Sequence, residues 1–186
     1  TECYVSVTRS STIALKRVTY TVPSQLIGKR LLARVYDARV ELYLGVDKVL
    51  ELERRFAVKG KPRVRSVNYR HMIDALHKKP QAFRHSQLRD DILPNDNYRA
   101  IWRYVDEQLA ADEACYYIVK LLYLAHRYDC ERQLEQGVLQ GIRQRQLPSL
   151  RQCEERFMPT ATLPSVISVS QHALQSYNAL LGGSHA

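Results

Sequence analysis

The hydrophobic period of the chain changes once, and that change limits the possible folds more than any other feature. Up to about residue 55, apolar side chains recur at every second position. In KRLLARVYDARVELYL, Leu31, Ala33 and Val35 alternate with Arg30, Leu32 and Arg34. Beyond an Asp37-Ala38 turn, Val40, Leu42 and Leu44 alternate with Arg39, Glu41 and Tyr43. A period of two belongs to a strand with one buried face. A second turn at Gly45-Val46-Asp47 leads into Lys48 to Leu52, where Leu50 and Leu52 oppose Glu51 and Glu53. With an earlier strand over Ile13 to Val22, ended by Pro23, the pattern predicts a meander of about four short antiparallel strands, enough for a small barrel or curled sheet.

From Asn68 onward the period becomes helical. Asn68 is placed to cap a helix running to Lys79 and stopped by Pro80, and Pro94-Asn95 introduces another from Asp96 to Ala110. Asp112 is read as the cap of EACYYIVKLLYLAHRY, in which Ile118, Leu121, Leu122 and Ala125 make one apolar stripe. Leu134, Val138 and Ile142 recur at steps of four, so this segment should pack on its predecessor as a hairpin joined near Asp129-Cys130. Ser149 and Gln152 have the spacing of a capping box for a last short helix to Phe157. The expected fold class is α+β: a small antiparallel β-barrel over residues 1–55, a basic linker arm over 54–67, an all-α helical domain over 68–157, and a tail over 158–186 with a short terminal helix.

Charge follows the same division. The 186-residue chain has 28 Lys and Arg against 19 Asp and Glu, a net +9. Residues 54 to 89 hold eleven of those cations and the single acid Asp74. A localised basic segment beside folded elements suits a polyanion, because Lys and Arg release the counterions condensed on phosphates. The arm residues Arg54, Arg55, Lys59, Lys61, Arg63 and Arg65 are the main candidate DNA contacts, with Arg17, Arg34 and Arg39 on the wet face of the barrel. Such contacts position a protein on the backbone without reading sequence. The competing reading of the arm is a solvated linker.

Other chemistry is poorly provided for. Cys3, Cys115, Cys130 and Cys153 have no C-x-x-C spacing and read as reduced thiols of an intracellular protein. Asp90 and Asp91 could bind Mg²⁺, but before ILPNDNY and without a third acid in a strand they read as loop or capping carboxylates. His71 and His77 on one helix are separated by an i to i+6 step, a rotation of about 240°, and cannot meet on one metal. Gly60 lacks a phosphate-loop pattern, and Gly137 and Gly141 speak for close helix packing. No catalytic residue and no metal ligand is assigned. The run after Phe157 is broken by Pro159 and Pro164 and reads as a tail, not a membrane span. The start at strand-like CYVSV, without an initiator Met or a signal-peptide pattern, reads as a fragment of something longer.

The phrases YTVPSQLIGKRLLARVYDARVELYLG, NYRHMIDALHKKPQAF, LRDDILPNDNYRAIW, LAHRYDCERQLEQGV and YNALL resemble, in this order, the C-terminal part of IstA-type insertion-sequence transposases, from about residue 12 to 181. The resemblance implies a mobile-element DDE transposase whose RNase H-like catalytic domain, with three carboxylates and Mg²⁺, lies outside this chain. It implies a Mu-like barrel and a helical tail here, and no cofactor in this fragment. It also implies partners: DNA, further transposase subunits in a homo-oligomer, and an AAA+ ATPase helper, in the DNA-associated bacterial cytoplasm. None of the acids here matches a DDE position. The alternative function is a protein-interaction module, in which the helical half with Tyr116, Tyr117, Tyr123 and Tyr128 meets a transposase subunit or the ATPase.

Overall fold

The computed structural model describes residues 1–57, 59–60 and 64–157. The period-two region forms strands β1 (Glu2–Ser6), β2 (Thr12–Leu15), β3 (Val18–Thr21), β4 (Arg30–Val35), β5 (Arg39–Leu44) and β6 (Asp47–Glu53), joined later by β7 (Val64–Ser66). These strands make two sheets, β1-β4-β5-β6 and β2-β3-β7. Alternation aims Leu31, Ala33, Val35, Val40 and Leu42 of the first sheet at Ile13, Leu15, Val18 and Tyr20 of the second, and all belong to one buried cluster. Glu41 is buried on the opposite face. Leu44, expected inside with Val40 and Leu42, is turned partly outward after a register shift between Leu42 and Tyr43.

The expected barrel is not closed: no strand ladder joins the two sheets among the described residues. The stretch from Ile13 to Val22, read as one strand, breaks at Lys16 and Arg17, whose φ angles are +46° and +67°. Two consecutive left-handed residues fold it into a tight hairpin. The two short strands then form a sheet of their own instead of extending the meander. The antiparallel rule fails once as well, since β3 and β7 run parallel, with Val18 opposite Val64 and Tyr20 opposite Ser66. Part of the expected linker arm is therefore sheet.

The helical half comprises α1 (Ile73–Lys78), α2 (Arg89–Ile92), α3 (Asp96–Gln108), α4 (Ala111–Tyr128), α5 (Glu131–Arg143) and α6 (Leu150–Phe157), with single 3-10 turns at Tyr69–His71 and Pro80–Ala82. Asn68 does cap its segment, accepting the Arg70 N–H at 3.1 Å. That first helix is interrupted at Met72, where φ is −123°. Asp112 is not a cap: Ala110 occupies that position, and Asp112 lies in the first turn, where a carboxylate favours the positive end of the helix dipole. Asp129 ends α4 in the left-handed region at φ +49°. The capping box forms as read, with the Ser149 N–H on Gln152 Oε1 at 2.9 Å and the Gln152 N–H on Ser149 Oγ at 3.2 Å. Ile118, Leu121, Leu122, Leu134 and Val138 share the core of this half. The tail and its expected short helix lie outside the described residues.

The halves meet at β3. Thr21 Oγ1 accepts the Asn68 N–H at 2.9 Å, and His71 Nδ1 lies 2.9 Å from the Thr21 carbonyl. A carbonyl only accepts, so Nδ1 carries the proton and Nε2 is bare in the neutral ring. Burial pushes the His71 pKa down, partly offset by the bond to Thr21.

Two predictions follow from the packing. In α5, a Cβ on Gly141 would stand 2.5 Å from the Gln146 backbone oxygen, whereas one on Gly137 would meet only the mobile end of Arg156 at 3.2 Å. Gly→Ala inside a helix ordinarily stabilises by about 1 kcal/mol. Thermal melting should therefore show Gly137→Ala neutral or stabilising and Gly141→Ala destabilising; the reverse order would contradict this packing. For His71, a depressed folded pKa means that its stabilising contribution is fully present above the unfolded value of about 6.5 and is lost as pH falls through the folded one. Stability should drop between pH 7 and 5, and less steeply in His71→Asn, which keeps a donor near Nδ1. Identical pH profiles would remove His71 from the account.

Candidate nucleic-acid interface

The basic side chains sort into two groups according to what the folded chain places beside them. On the outer face of the β1-β4-β5-β6 sheet, cross-strand register sets Glu2 opposite Arg34, Arg34 opposite Glu41, and Glu41 opposite Glu51. Arg34 Nε lies 2.8 Å from Glu2, and Arg39 Nε donates to Glu41 at 2.9 Å. The Glu41 carboxylate also accepts from the Tyr43 hydroxyl at 2.9 Å and has Lys48 at 3.8 Å. Its bonds to Arg39 and Tyr43 hold its pKa below the ordinary carboxylate range. Arginines here also lie on aromatic rings: Arg30 over Tyr4 at 4.8 Å, Arg34 over Tyr43 at 4.6 Å and Arg39 over Tyr36 at 4.5 Å. Arg34 and Arg39 are thus on one face, but that face is already balanced by its own carboxylates.

The arm residues are treated similarly at its two described ends. Arg54 Nη1 donates to the Tyr36 carbonyl at 2.8 Å, lies 3.9 Å from Asp37, and stacks its guanidinium over Phe56 at 4.6 Å. Arg55 pairs with Glu53 at 2.8 Å. Its backbone is clamped by the buried Tyr20, whose hydroxyl accepts the Arg55 N–H at 2.9 Å and donates to the Arg55 carbonyl at 3.2 Å. Arg65 pairs with Asp91 at 3.0 Å and donates to the Gln87 carbonyl at 3.1 Å. Lys59 is exposed, and Lys61 and Arg63 lie outside the described residues.

A second group is less constrained. Arg17 is not on a sheet face but at the tip of the β2–β3 hairpin beside Lys16, and both are exposed. Arg9 is exposed in the turn before β2. None of Arg9, Lys16, Arg17 and Lys59 is in an ion pair among the described residues, whereas Arg34, Arg39, Arg54, Arg55 and Arg65 all are. The Val18–Val64 register brings the Lys16-Arg17 tip to the N-terminal end of β7, where the arm enters the sheet. The sequence contained a signal for this arrangement in the KR dipeptide that interrupts two strand-like triplets, IAL and VTY.

Other candidates take structural places. Asp90 and Asp91 belong to α2, Asp90 beside Arg89 and Asp91 beside Arg65. His77 stacks flat on Tyr123 at 4.0 Å, away from the His71 junction. Tyr117 is buried and donates to the Pro148 carbonyl at 2.8 Å, whereas Tyr116 is half exposed. Among the described residues, no cluster of three or more His, Cys, Asp and Glu side chains could hold a metal ion. No helix among them is long and apolar enough to cross a membrane.

The chain is 37% identical over 185 residues, its whole length, to the Uncharacterized protein y4jA/y4nE/y4sE of Sinorhizobium fredii (strain NBRC 101917 / NGR234). It spans 37% of the length of that curated relative. No family model matches the chain. No solved structure matches it either.

The clamp on Arg55 generates a prediction. Tyr20→Phe leaves the Arg55 N–H without its acceptor, which should cost about 0.5–1.5 kcal/mol. Trypsin should then cut after Arg54 and Arg55 faster than in the parent chain, read by mass spectrometry of the first fragments. Unchanged cleavage would mean that Tyr20 does not pin the arm.

Proposed function

We propose that this chain is a non-catalytic part of a DNA transposase, holding the DNA backbone and helping to assemble the transposase–DNA complex. The observation that carries this reading is a pair of exposed cations, Lys16 and Arg17, that have no carboxylate partner among the described residues and stand at the hairpin tip beside the N-terminal end of β7. Lysines and arginines without carboxylate partners gain most from phosphates, because no internal ion pair has to be broken. The resemblance to IstA-type transposases supports the same function.

On this reading the catalytic carboxylates and their Mg²⁺ belong to a separate RNase H-like domain of a longer protein. The chain works in the bacterial cytoplasm within a homo-oligomer on paired element ends, with an AAA+ ATPase as helper. The small β-barrel of Mu-like transposases is the expected relative of the two-sheet module, with the hairpin break at Lys16-Arg17 accounting for the open form seen here. A second reading, a docking surface for a subunit or the ATPase, is favoured by one feature: a groove of about 580 Å³ lined by Leu109, Tyr116, Leu147 and Leu150 in the helical half.

Salt dependence tests the DNA reading. If four to six basic side chains each neutralise one phosphate, log K against log salt should have a slope of roughly −4 to −5. Replacing Lys61, Arg63 and Arg65 together by Ala should flatten the slope by up to about three units, and Lys16→Ala with Arg17→Ala by up to about two. Unrelated duplexes should lose affinity about equally. Unchanged affinity and slope in both sets would return the arm and the hairpin tip to solvated surface.

A further inference from the structure

The outer face of the β2-β3-β7 sheet does not lie open. Opposite it runs the segment from His85 to Leu88, and between them is a cleft of about 470 Å³. The register that pairs Ala14 with Thr19 and Thr19 with Arg65 lays these side chains in a row across the floor. Thr8, Ser10, Thr19 and Ser86 bring hydroxyls to the cleft, Arg65 and His85 bring nitrogen donors, and no carboxylate is among its described lining residues. Among the described residues, the one carboxylate bonded to a lining side chain is that of Asp91, which pairs with Arg65 at 3.0 Å from outside the cleft lining.

We propose that this cleft binds a phosphodiester strand; the inference rests on the DNA reading above and gives it a location. Hydroxyls, guanidinium and imidazole are the groups that hydrogen-bond phosphate oxygens. Arg65 is pre-set for the task. Its bonds to Gln87 and Asp91 are both made by Nη1, so Nη2 and Nε remain without a partner among the described residues. The Thr8 hydroxyl accepts the Ser10 and Thr12 N–H groups, each at 3.3 Å, and so donates to Thr12 Oγ1 at 2.7 Å, which leaves the Thr12 hydroxyl proton free to donate. Ser86 Oγ accepts the Leu88 N–H at 3.1 Å, which leaves its own proton free to donate. The turns that flank β2, whose Thr12, Ile13 and Ala14 line the cleft, are cationic: Arg9 lies in the turn before the strand, and Lys16 and Arg17 in the turn after it. Between those turns β2 spans about 10 Å at roughly 3.3 Å per residue, long enough for a short stretch of phosphodiester backbone.

The test uses the whole chain and adds one carboxylate at a time at exposed positions. Ala14→Glu places it on the sheet wall and Gln87→Glu on the facing loop, while Ser6→Glu places it on the outer face of the other sheet. Equal melting temperatures establish that each variant is folded. Affinity is measured by fluorescence anisotropy with a duplex of about 20 base pairs and, separately, with one of its strands. A carboxylate against a phosphate costs enough to weaken binding about tenfold or more. Ala14→Glu and Gln87→Glu should each do so for at least one form of DNA, the form affected identifying what the cleft holds, and Ser6→Glu should change affinity less than about twofold. Equal effects of all three would mean that only overall charge matters and would overturn the cleft. Loss of affinity in Lys16→Ala with Arg17→Ala, without loss in the cleft variants, would overturn the cleft while leaving the DNA reading standing. Failure of the parent chain to bind either form would overturn both.

Discussion

The pairing of β3 with β7 is the interaction on which the rest of the structure depends. It joins residues 46 positions apart in register, Val18 with Val64 and Tyr20 with Ser66, and so closes a long loop at an entropic cost that must be recovered locally. The recovery lies in what β3 carries. Tyr20 is buried in the two-sheet core and clamps the Arg55 backbone, and Thr21 holds both the Asn68 N–H and the His71 ring. Without β3 the sheet module and the helical module, each with its own hydrophobic cluster, would have little to fix their relation.

The division into two sheets also sorts the charge. Ion pairs within and between neighbouring strands neutralise most of the outer face of the four-stranded sheet, and its guanidiniums are further immobilised over tyrosine rings. Exposed pairs of this kind contribute little to stability, but they lower the gain available from a phosphate, which would have to displace a carboxylate first. Cations at the turns of the three-stranded sheet carry no such cost. The electrostatic character of the two sheets therefore differs although each contains arginine.

Much of this was legible in the sequence, and the misses have physical causes. Strict alternation over Leu31 to Leu42 gave β4 and β5 because a one-residue slip would turn every apolar side chain to water. The α4–α5 hairpin and the Ser149–Gln152 box could be read because both are local and set by spacing. By contrast, β7 is three residues long and exists only through a distant partner. The hairpin at Lys16-Arg17 escaped because neither residue is one that usually adopts the left-handed region. For the candidate site, the excess of charge was visible but its pairing was not. Arg34 finds Glu2 through strand register, and Arg65 finds Asp91 26 positions away. The hydroxyls of Thr8, Thr19 and Ser86 gave no signal at all, since only folding brings them to one cleft.

The β2–β3 turn carries a further implication about selection. A two-residue hairpin whose residues both have positive φ is normally Asn-Gly or Gly-rich, and a β-hairpin optimised for folding alone would have that sequence. Here two long cationic side chains accept φ of +46° and +67°, a conformation that costs L-residues roughly 1–2 kcal/mol each. The turn is therefore a position where the most stable sequence and the present one differ. Engineering the chain for thermal stability would arrive early at replacing Lys16 and Arg17, and would trade away two of its unpaired positive charges in doing so.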